Sequence, residues 1–173
     1  MDKNTIPLRK DVPSEYKWDL TQIYKSEDEW EADLATVEKA TQKLVSFKGK
    51  LSSSKEIFLQ ALNADQALDM LLENVYHWAS LQNEADQSDS KNQERVNRAS
   101  MAYSKAAAET SFYVPEILSI EDSKINAWIE EKEFEPFRIY IKKMLRQKPH
   151  TLSEKEERIM ALQSESGQTA SNT

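Results

Sequence analysis

The sequence contains no cysteine and only two glycines, Gly49 and Gly167, among its 173 residues. Without cysteine the chain cannot form a disulfide, present a thiol nucleophile or bind a metal through thiolates. So few glycines leave few turn signals, which favours long helices over many short strands. A chain of this length can bury one sizeable core or form part of a larger domain.

Long apolar runs are also missing. No stretch approaches the roughly 18 apolar residues that a membrane-spanning helix requires, and the N-terminal sequence MDKNTIPLRKDVPSEY lacks the apolar core of a secretory signal. Together with the lack of cysteine, these absences favour a cytoplasmic location. The net charge of −7 opposes non-specific binding to nucleic acid or to an anionic membrane, so neither is expected as a partner.

The most apolar part of the chain is the stretch 65–81, DQALDMLLENVYHWASL. Its large apolar residues recur at steps of three and four, which places them on one broad helical face. That face is wider than a surface helix needs. We therefore expect a helix that its neighbours cover on at least two sides, and around which the rest of the chain packs.

Three long helices are predicted, over about 27–47, 55–81 and 91–112. Ser26 and Glu29 form a capping box before the first of them. Ser54 precedes the second, which is either continuous or bent near Asn63. The polar stretch 82–90 is expected to be a connection, given its Asn, Asp and Ser content.

Proline marks the boundaries in the last third of the chain. Pro115 should end or sharply kink the third helix, because proline disfavours helical geometry in the residue before it, and PEILSI should then be a short link. Short helices are expected over 122–129 and 136–149. Ser153 and Glu156 form a second capping box before a final predicted helix.

The first 25 residues are predicted to form an extended arm. Pro7 and Pro13 hold it out of helix. Trp18 and Leu20 are too apolar for a free tail, so we expect both to lie against the body of the protein, with the Trp18 indole buried.

The predicted fold class is all-α, with antiparallel helical hairpins packed as a bundle behind the arm. Its expected regions are the arm at 1–25, the helical hairpin bundle at 26–112, shorter helices that begin a second helical region at 113–165, and a polar end at 166–173 that we expect to be disordered.

Glu73 and His77 lie four residues apart, hence on one helical face, and could share a metal ion. A metal site needs three or four converging ligands, so a side-chain pair at a helix seam is the favoured interpretation. The residues three positions before the two histidines are Asn74 and Gln147, so the repeated Glu-x-x-His of di-iron bundles is absent. His150 lies just before a predicted helix and is expected to be structural or exposed.

A basic amphipathic helix is predicted at 138–148. Its cations are Arg138, Lys142, Lys143, Arg146 and Lys148, and its apolar side carries Ile141, Met144 and Leu145. Such a helix can bind nucleic acid, membrane headgroups or an acidic peptide. A solvated face, whose cations favour the C-terminal end of the helix, is the favoured interpretation because the whole chain is acidic.

The densest acidic run contains Glu130, Glu131, Glu133 and Glu135. Paired carboxylates perform acid–base chemistry only in a buried, converging cleft, and runs of this density usually face solvent. Trp78 and Trp128 are interpreted as core side chains, as aromatic residues at helical spacing usually are. Since the sequence has no H-E-x-x-H, Walker loop or other catalytic motif, it assigns no catalytic residue and no metal ligand, and it leaves the substrate-binding residues unknown.

Five stretches resemble a known family. They are VPSEYKWDLTQIYKSEDEWE at 12–31, SFKGKL at 46–51, YHWASL at 76–81, SFYVPEIL at 111–118 and RQKPHTLSEKEE at 146–157. In their order and separations they resemble the N-terminal part of oligoendopeptidase F, one of the thimet-oligopeptidase-like zinc metallopeptidases. The resemblance implies a helical protein that, when complete, closes around a deep cavity and cleaves short peptides. Its zinc would be held by the histidines of H-E-x-x-H and a later glutamate.

None of that zinc machinery is in this sequence. The resemblance therefore predicts a non-catalytic N-terminal fragment that binds no zinc and is inactive alone, with the remainder of the peptidase or a second copy as its partner. The alternative is a free-standing helical interaction module that uses the helix at 138–148. An exposed apolar surface for the absent part is expected from Phe134, Phe137, Ile141, Met144, Leu145, Ile159, Met160 and Leu162.

Overall fold

A computed structural model describes residues 9–150 of the protein. In that range the regular structure consists of six α-helices and short 3-10 turns, without a strand. The helices are α1 (Glu27–Val45), α2 (Lys55–Ala85), α3 (Ser90–Thr110), α4 (Tyr113–Ser119), α5 (Asp122–Ile129) and α6 (Arg138–Gln147). The prediction of an all-α fold is confirmed. The second capping box, the helix behind it and the polar end at 166–173 lie outside the described residues.

The chain divides into two units, with the boundary between Ile120 and Glu121. In the first unit α1, α2 and α3 pack against one another. Glu27 pairs with Arg95 at the start of α1 and α3, and Glu38 pairs with Lys105 further along both helices. These two helices therefore run parallel, and α2 between them in sequence runs antiparallel to both, as the predicted hairpins require.

The helix α2 is unbroken over 31 residues, without the bend considered near Asn63. Its N-terminus is capped by Ser54, whose Oγ accepts a hydrogen bond from the Ile57 N–H at 3.3 Å. At the other end the Asp86 N–H donates to the carbonyls of residues 82 and 83. Because these bonds close one more helical turn, the prediction that all of 82–90 is a connection is wrong for its first four residues.

Trp30 lies fully buried in the core of the first unit. Its indole Nε1–H donates to the Val75 carbonyl of α2 at 2.9 Å, and its ring stacks on Trp78 with centroids 5.7 Å apart. The Arg98 guanidinium lies 5.3 Å from the Trp30 ring centroid. Tyr24 meets Trp78 edge-on at 6.0 Å. The predicted core position of Trp78 is confirmed.

The N-terminal arm contacts this core through Leu20, Ile23 and Tyr24 and not through Trp18. Leu20 and Ile23 pack against the buried cluster, whereas Trp18 is 66% exposed, so its expected burial is wrong. Asp19 caps a 3-10 turn that begins at Leu20, by accepting the Thr21 N–H at 3.0 Å. Trp18 precedes that turn and remains outside the core.

Trp18→Ala is expected to change the free energy of unfolding by no more than about 1 kcal/mol, because substitutions at exposed positions have small effects. Urea denaturation followed by far-ultraviolet circular dichroism measures the difference. A loss near 3 kcal/mol would mean that the indole packs against the body after all.

Pro115 lies in the first turn of α4, where its missing N–H leaves no hydrogen bond unmade. The predicted helix boundary near this proline is confirmed, but the expected link at 115–120 is largely helical.

The carboxylate of Glu116 accepts the backbone N–H groups of Gly49 and Leu51 at 2.8 and 2.9 Å. Gly49 has a φ of 76°, as expected where glycine follows a helix. The α1–α2 turn is thereby tied to α4.

The second unit contains α5, a 3-10 turn at Lys132–Phe134, and α6. Its buried side chains are Ile125, Ile129, Phe134, Phe137, Ile141 and Met144. The expected exposed apolar surface is therefore wrong for the four of these residues that it included, and Leu145 is half-buried. Arg138 of α6 donates from Nε to the Ile129 carbonyl at the end of α5 at 2.7 Å, a contact that was not predicted from the sequence. The exposed apolar groups of α6 are instead Ile139 and Tyr140, at 70% and 44%.

Candidate functional site

A row of three carboxylates, Asp65, Asp69 and Glu73, follows one side of α2; we call it the acidic row. Its four-residue spacing brings successive members close together. Burial raises the pKa of Asp65 to about 7, with repulsion from Asp69 as a further cause, while the nearby Tyr113 hydroxyl acts in the opposite direction. Asp69 lies nearer the surface and is exposed; partial desolvation, followed by repulsion from Glu73, also raises its pKa. Among residues 9–150 no basic side chain forms an ion pair with Asp65 or Asp69.

The acidic row leads into a cleft between α2 and α3, which we call the α2–α3 cleft. It is lined by Glu73, Tyr76, His77, Ser100, Tyr103 and Ser104. Tyr103 is 40% exposed and meets the Tyr76 ring edge-on at 6.1 Å. Burial, followed by the charges of Glu73 and Asp69, raises the pKa of Tyr103. These groups can donate and accept hydrogen bonds, but they do not form a nucleophile–base pair.

Glu73 and His77 form a direct contact, with 2.6 Å between Oε2 and Nε2. Both side chains are about half exposed. Within residues 9–150 no three His, Cys, Asp or Glu side chains converge in a way that could hold a metal ion. The side-chain pair expected from the sequence is thus present. The prediction that this chain binds no zinc stays a prediction, and the His150 side chain lies outside the description.

In the predicted basic helix at 138–148, three of the five cations contact groups within their own unit. Arg138 donates to two backbone carbonyls at the end of α5, at 2.7 and 3.0 Å. Lys142 Nζ lies 2.7 Å from Glu130 Oε1, and Lys148 Nζ lies 2.6 Å from Asp122 Oδ1. These contacts favour a structural role for most of the basic residues.

The acidic run at 130–135 and Trp128 also have local partners. Glu130, Glu133 and Glu135 are exposed, as expected of a charge run, while Glu131 is half-buried. Trp128 is half-buried and not fully in a core, with the Lys124 ammonium 5.1 Å from its ring centroid. Neither feature forms a cleft suited to acid–base chemistry.

The acidic row was not predicted as a candidate site. Its signal was present, because Asp65, Asp69 and Glu73 recur at four-residue spacing inside the most apolar stretch. The raised pKa values of Asp65 and Asp69 depend on burial in the folded protein, and the Tyr113 side chain that affects Asp65 comes from α4. Periodicity along one helix does not place side chains that come from other helices.

No helix among residues 9–150 combines the length and the apolar character needed to cross a membrane.

A family model described as oligopeptidase F matches residues 116–173. Oligopeptidase PepF of Bacillus subtilis is 34% identical over 98% of this chain and 26% of its own length. The plasmid-encoded oligoendopeptidase F of Lactococcus lactis is 32% identical over 95% of this chain and 28% of its own length. The crystal structure of oligoendopeptidase-F from Enterococcus faecium superposes with a TM-score of 0.69 at 28% identity, covering 81% of this chain and 28% of that one. The chain thus spans about a quarter of the length of these relatives.

Proposed function

Because this chain matches the N-terminal region of oligoendopeptidase F, we propose that it serves as the non-catalytic N-terminal part of a zinc metallopeptidase of that type. The complete enzyme would hydrolyse peptide bonds in short peptides and act in the cytoplasm. The observation that carries the proposal is the match to Bacillus subtilis oligopeptidase PepF along 98% of the chain.

Zinc in the complete enzyme would polarise the scissile carbonyl and activate the attacking water. The described residues of this chain do not fit such a site, because the Glu73–His77 pair offers two ligands where a catalytic zinc takes three from the protein. The ligands would lie in the remainder of the enzyme. We therefore assign no catalytic step to this chain.

The chain would contribute a stiff helical wall. Besides the packing around Trp30, α1 and α3 are joined by a bidentate ion pair in which Arg98 meets Glu31 at 2.5 and 2.6 Å. Burial of apolar side chains between three long helices, reinforced by such cross-links, resists deformation. A wall of this kind can hold a peptide-binding cavity open without supplying its reactive groups.

The contacts of α6 weigh against the alternative function, a free-standing module that binds through the helix at 138–148. Arg138, Lys142 and Lys148 contact carboxylates or carbonyls of the same unit, so a partner would have to compete for three of the five positive charges that the sequence suggested.

The coding sequence beyond Thr173 tests the proposal. We expect an H-E-x-x-H in the continuing frame or in a closely following second frame. A stop codon followed by nothing homologous to a peptidase would contradict the proposal and would favour the module.

A further inference from the structure

The α2–α3 cleft has aromatic walls. Tyr76 of α2 is half-buried, and Tyr103 of α3 is 40% exposed. Their rings meet at 61° with the centroids 6.1 Å apart, and His77 meets the Tyr76 ring at 67° with 5.9 Å between centroids. An edge-on contact covers a face of only one of its two rings, so ring area remains for a ligand. Because the face of a tyrosine ring is negative, these walls favour a cation.

Glu73 gives the cleft its negative charge. The lining contains neither Lys nor Arg. His77 Nε2 contacts Glu73 Oε2 at 2.6 Å, and the Glu73 side chain is 51% exposed. A carboxylate can accept about four hydrogen bonds, so the contact with His77 leaves acceptor capacity on Glu73. A ligand in the cleft can therefore donate N–H groups to this carboxylate.

Asp69 lies one helical turn before Glu73 and adds to the negative charge. Repulsion from Glu73 contributes to the raised pKa of Asp69, and both carboxylates contribute to the raised pKa of Tyr103. Among the residues that the structure describes, no Lys or Arg forms an ion pair with either carboxylate. A cation bound beside Glu73 would relieve this repulsion, and an anion would increase it. The charges and the rings thus favour a ligand of the same sign.

The remaining groups of the cleft distinguish between kinds of cation. Ser100 and Ser104 lie one turn apart on α3, and both line the cleft. Their hydroxyl oxygens can accept hydrogen bonds, which a primary ammonium donates and a quaternary ammonium cannot. The cleft volume of about 370 Å³ is near the lower end for small-molecule sites, so it suits one end of a ligand and not a whole peptide.

We propose that the α2–α3 cleft binds a primary ammonium group of a peptide, with Glu73 as its counter-ion. Tyr76 and Tyr103 form its aromatic walls, and Ser100 and Ser104 accept its hydrogen bonds. The identity of the ligand as a peptide rests on the proposed function, whereas the ammonium chemistry rests on the cleft itself. In a peptide this group is either the free amino terminus or a lysine side chain. The cleft would give the complete enzyme a preference for positively charged peptides.

Binding of short peptides to the isotope-labelled chain, followed by nuclear magnetic resonance, tests the proposal without an activity assay. The probes are an alanine tripeptide amide with a free amino terminus, the same peptide N-acetylated, and the N-acetylated peptide with one alanine replaced by lysine. We expect saturable shifts of the backbone amide signals of 100–104 with a peptide that carries an ammonium group. The acetylated alanine peptide should bind at least about 5-fold more weakly. Binding of the free-amine peptide alone, of the lysine peptide alone, or of both would support the proposal and identify the source of the ammonium group.

Matched variants test the assigned groups. Glu73→Gln should weaken binding of the ammonium-bearing peptide about 3–5-fold, as loss of an exposed ion pair allows. Tyr103→Phe keeps the ring and should change the affinity less than about 2-fold, whereas Tyr103→Leu removes the ring and should weaken binding about 2–5-fold. Glu84→Gln removes the same charge three turns further along α2, at an exposed position outside the lining, and should have little effect.

Equal binding of all three peptides, or no saturable binding of any, would overturn the proposal. A loss on Glu84→Gln as large as that on Glu73→Gln would also overturn it, because the effect would then come from the overall charge. Tetramethylammonium that binds as tightly as the peptides would contradict the role of N–H donors. Failure of the proposed function would show separately, as the absence of a peptidase motif beyond Thr173, and would leave these binding results unchanged.

Discussion

Trp30→Ala should lower the free energy of unfolding by about 3–5 kcal/mol. The substitution removes a fully buried ring that stacks on Trp78, and it leaves the space between α1 and α2 unfilled. It also removes the donor to the Val75 carbonyl. Because this carbonyl already belongs to helix α2, loss of packing should be the larger part of the effect. Urea denaturation monitored by circular dichroism measures the change.

Two further variants make the result interpretable. Trp30→Phe keeps most of the ring volume but loses the indole N–H, so its loss of stability should be clearly smaller and the protein should remain folded. Trp18→Ala deletes the same side chain at an exposed position and serves as the matched control. If Trp30→Ala and Trp18→Ala unfolded at the same urea concentration, Trp30 would not hold the bundle together.

Asp65→Asn is expected to stabilise the protein at pH 8 by roughly 1–3 kcal/mol and to change stability little at pH 4. The pKa of Asp65 is raised from 3.8 to about 7 in the folded state. The folded state therefore binds this proton more tightly than the unfolded state. The resulting stability is complete below pH 3.8 and is lost as the pH rises through 7. Asparagine stays neutral, so the variant avoids that loss.

The measurement is the free energy of unfolding of both proteins at pH 4, 6 and 8. Glu84→Gln, at an exposed position of the same helix, is the control and should not change the slope with pH. A variant that loses stability at pH 8 would show that the ionised Asp65 carboxylate stabilises the fold, contrary to the effect of its burial.

The fold could be predicted from the sequence where the signals are local. Ser26 and Ser54 mark the helix starts because each hydroxyl accepts an N–H of the first turn. The C-terminal end of α2 was harder to predict, because polar residues at 82–85 are compatible with either a loop or an exposed last turn. The predicted burial of Trp18 was also wrong. Its apolar character indicated contact with the core. In the structure Leu20, in the 3-10 turn that Asp19 caps, packs against the core in place of Trp18.

The candidate site was harder to predict than the fold. Glu73 and His77 could be placed together from their spacing, and their contact at 2.6 Å follows from helical geometry alone. The raised pKa of Asp65 could not be predicted, since it depends on how far the folded chain buries this carboxyl, which spacing along one helix does not give. The ion pairs of α6 could not be predicted either, because Glu130 and Asp122 come from outside the helix to pair with Lys142 and Lys148.

Hydrolysis of a quenched short peptide tests most directly whether this chain is the non-catalytic part of a zinc peptidase. The purified chain is assayed alone, with added zinc and with a chelator, beside a complete oligoendopeptidase F as the positive control. We predict no chelator-sensitive cleavage by the chain under any of these conditions, because its described residues bring no three metal ligands together. Chelator-sensitive cleavage that co-purifies with the isolated chain would contradict this account.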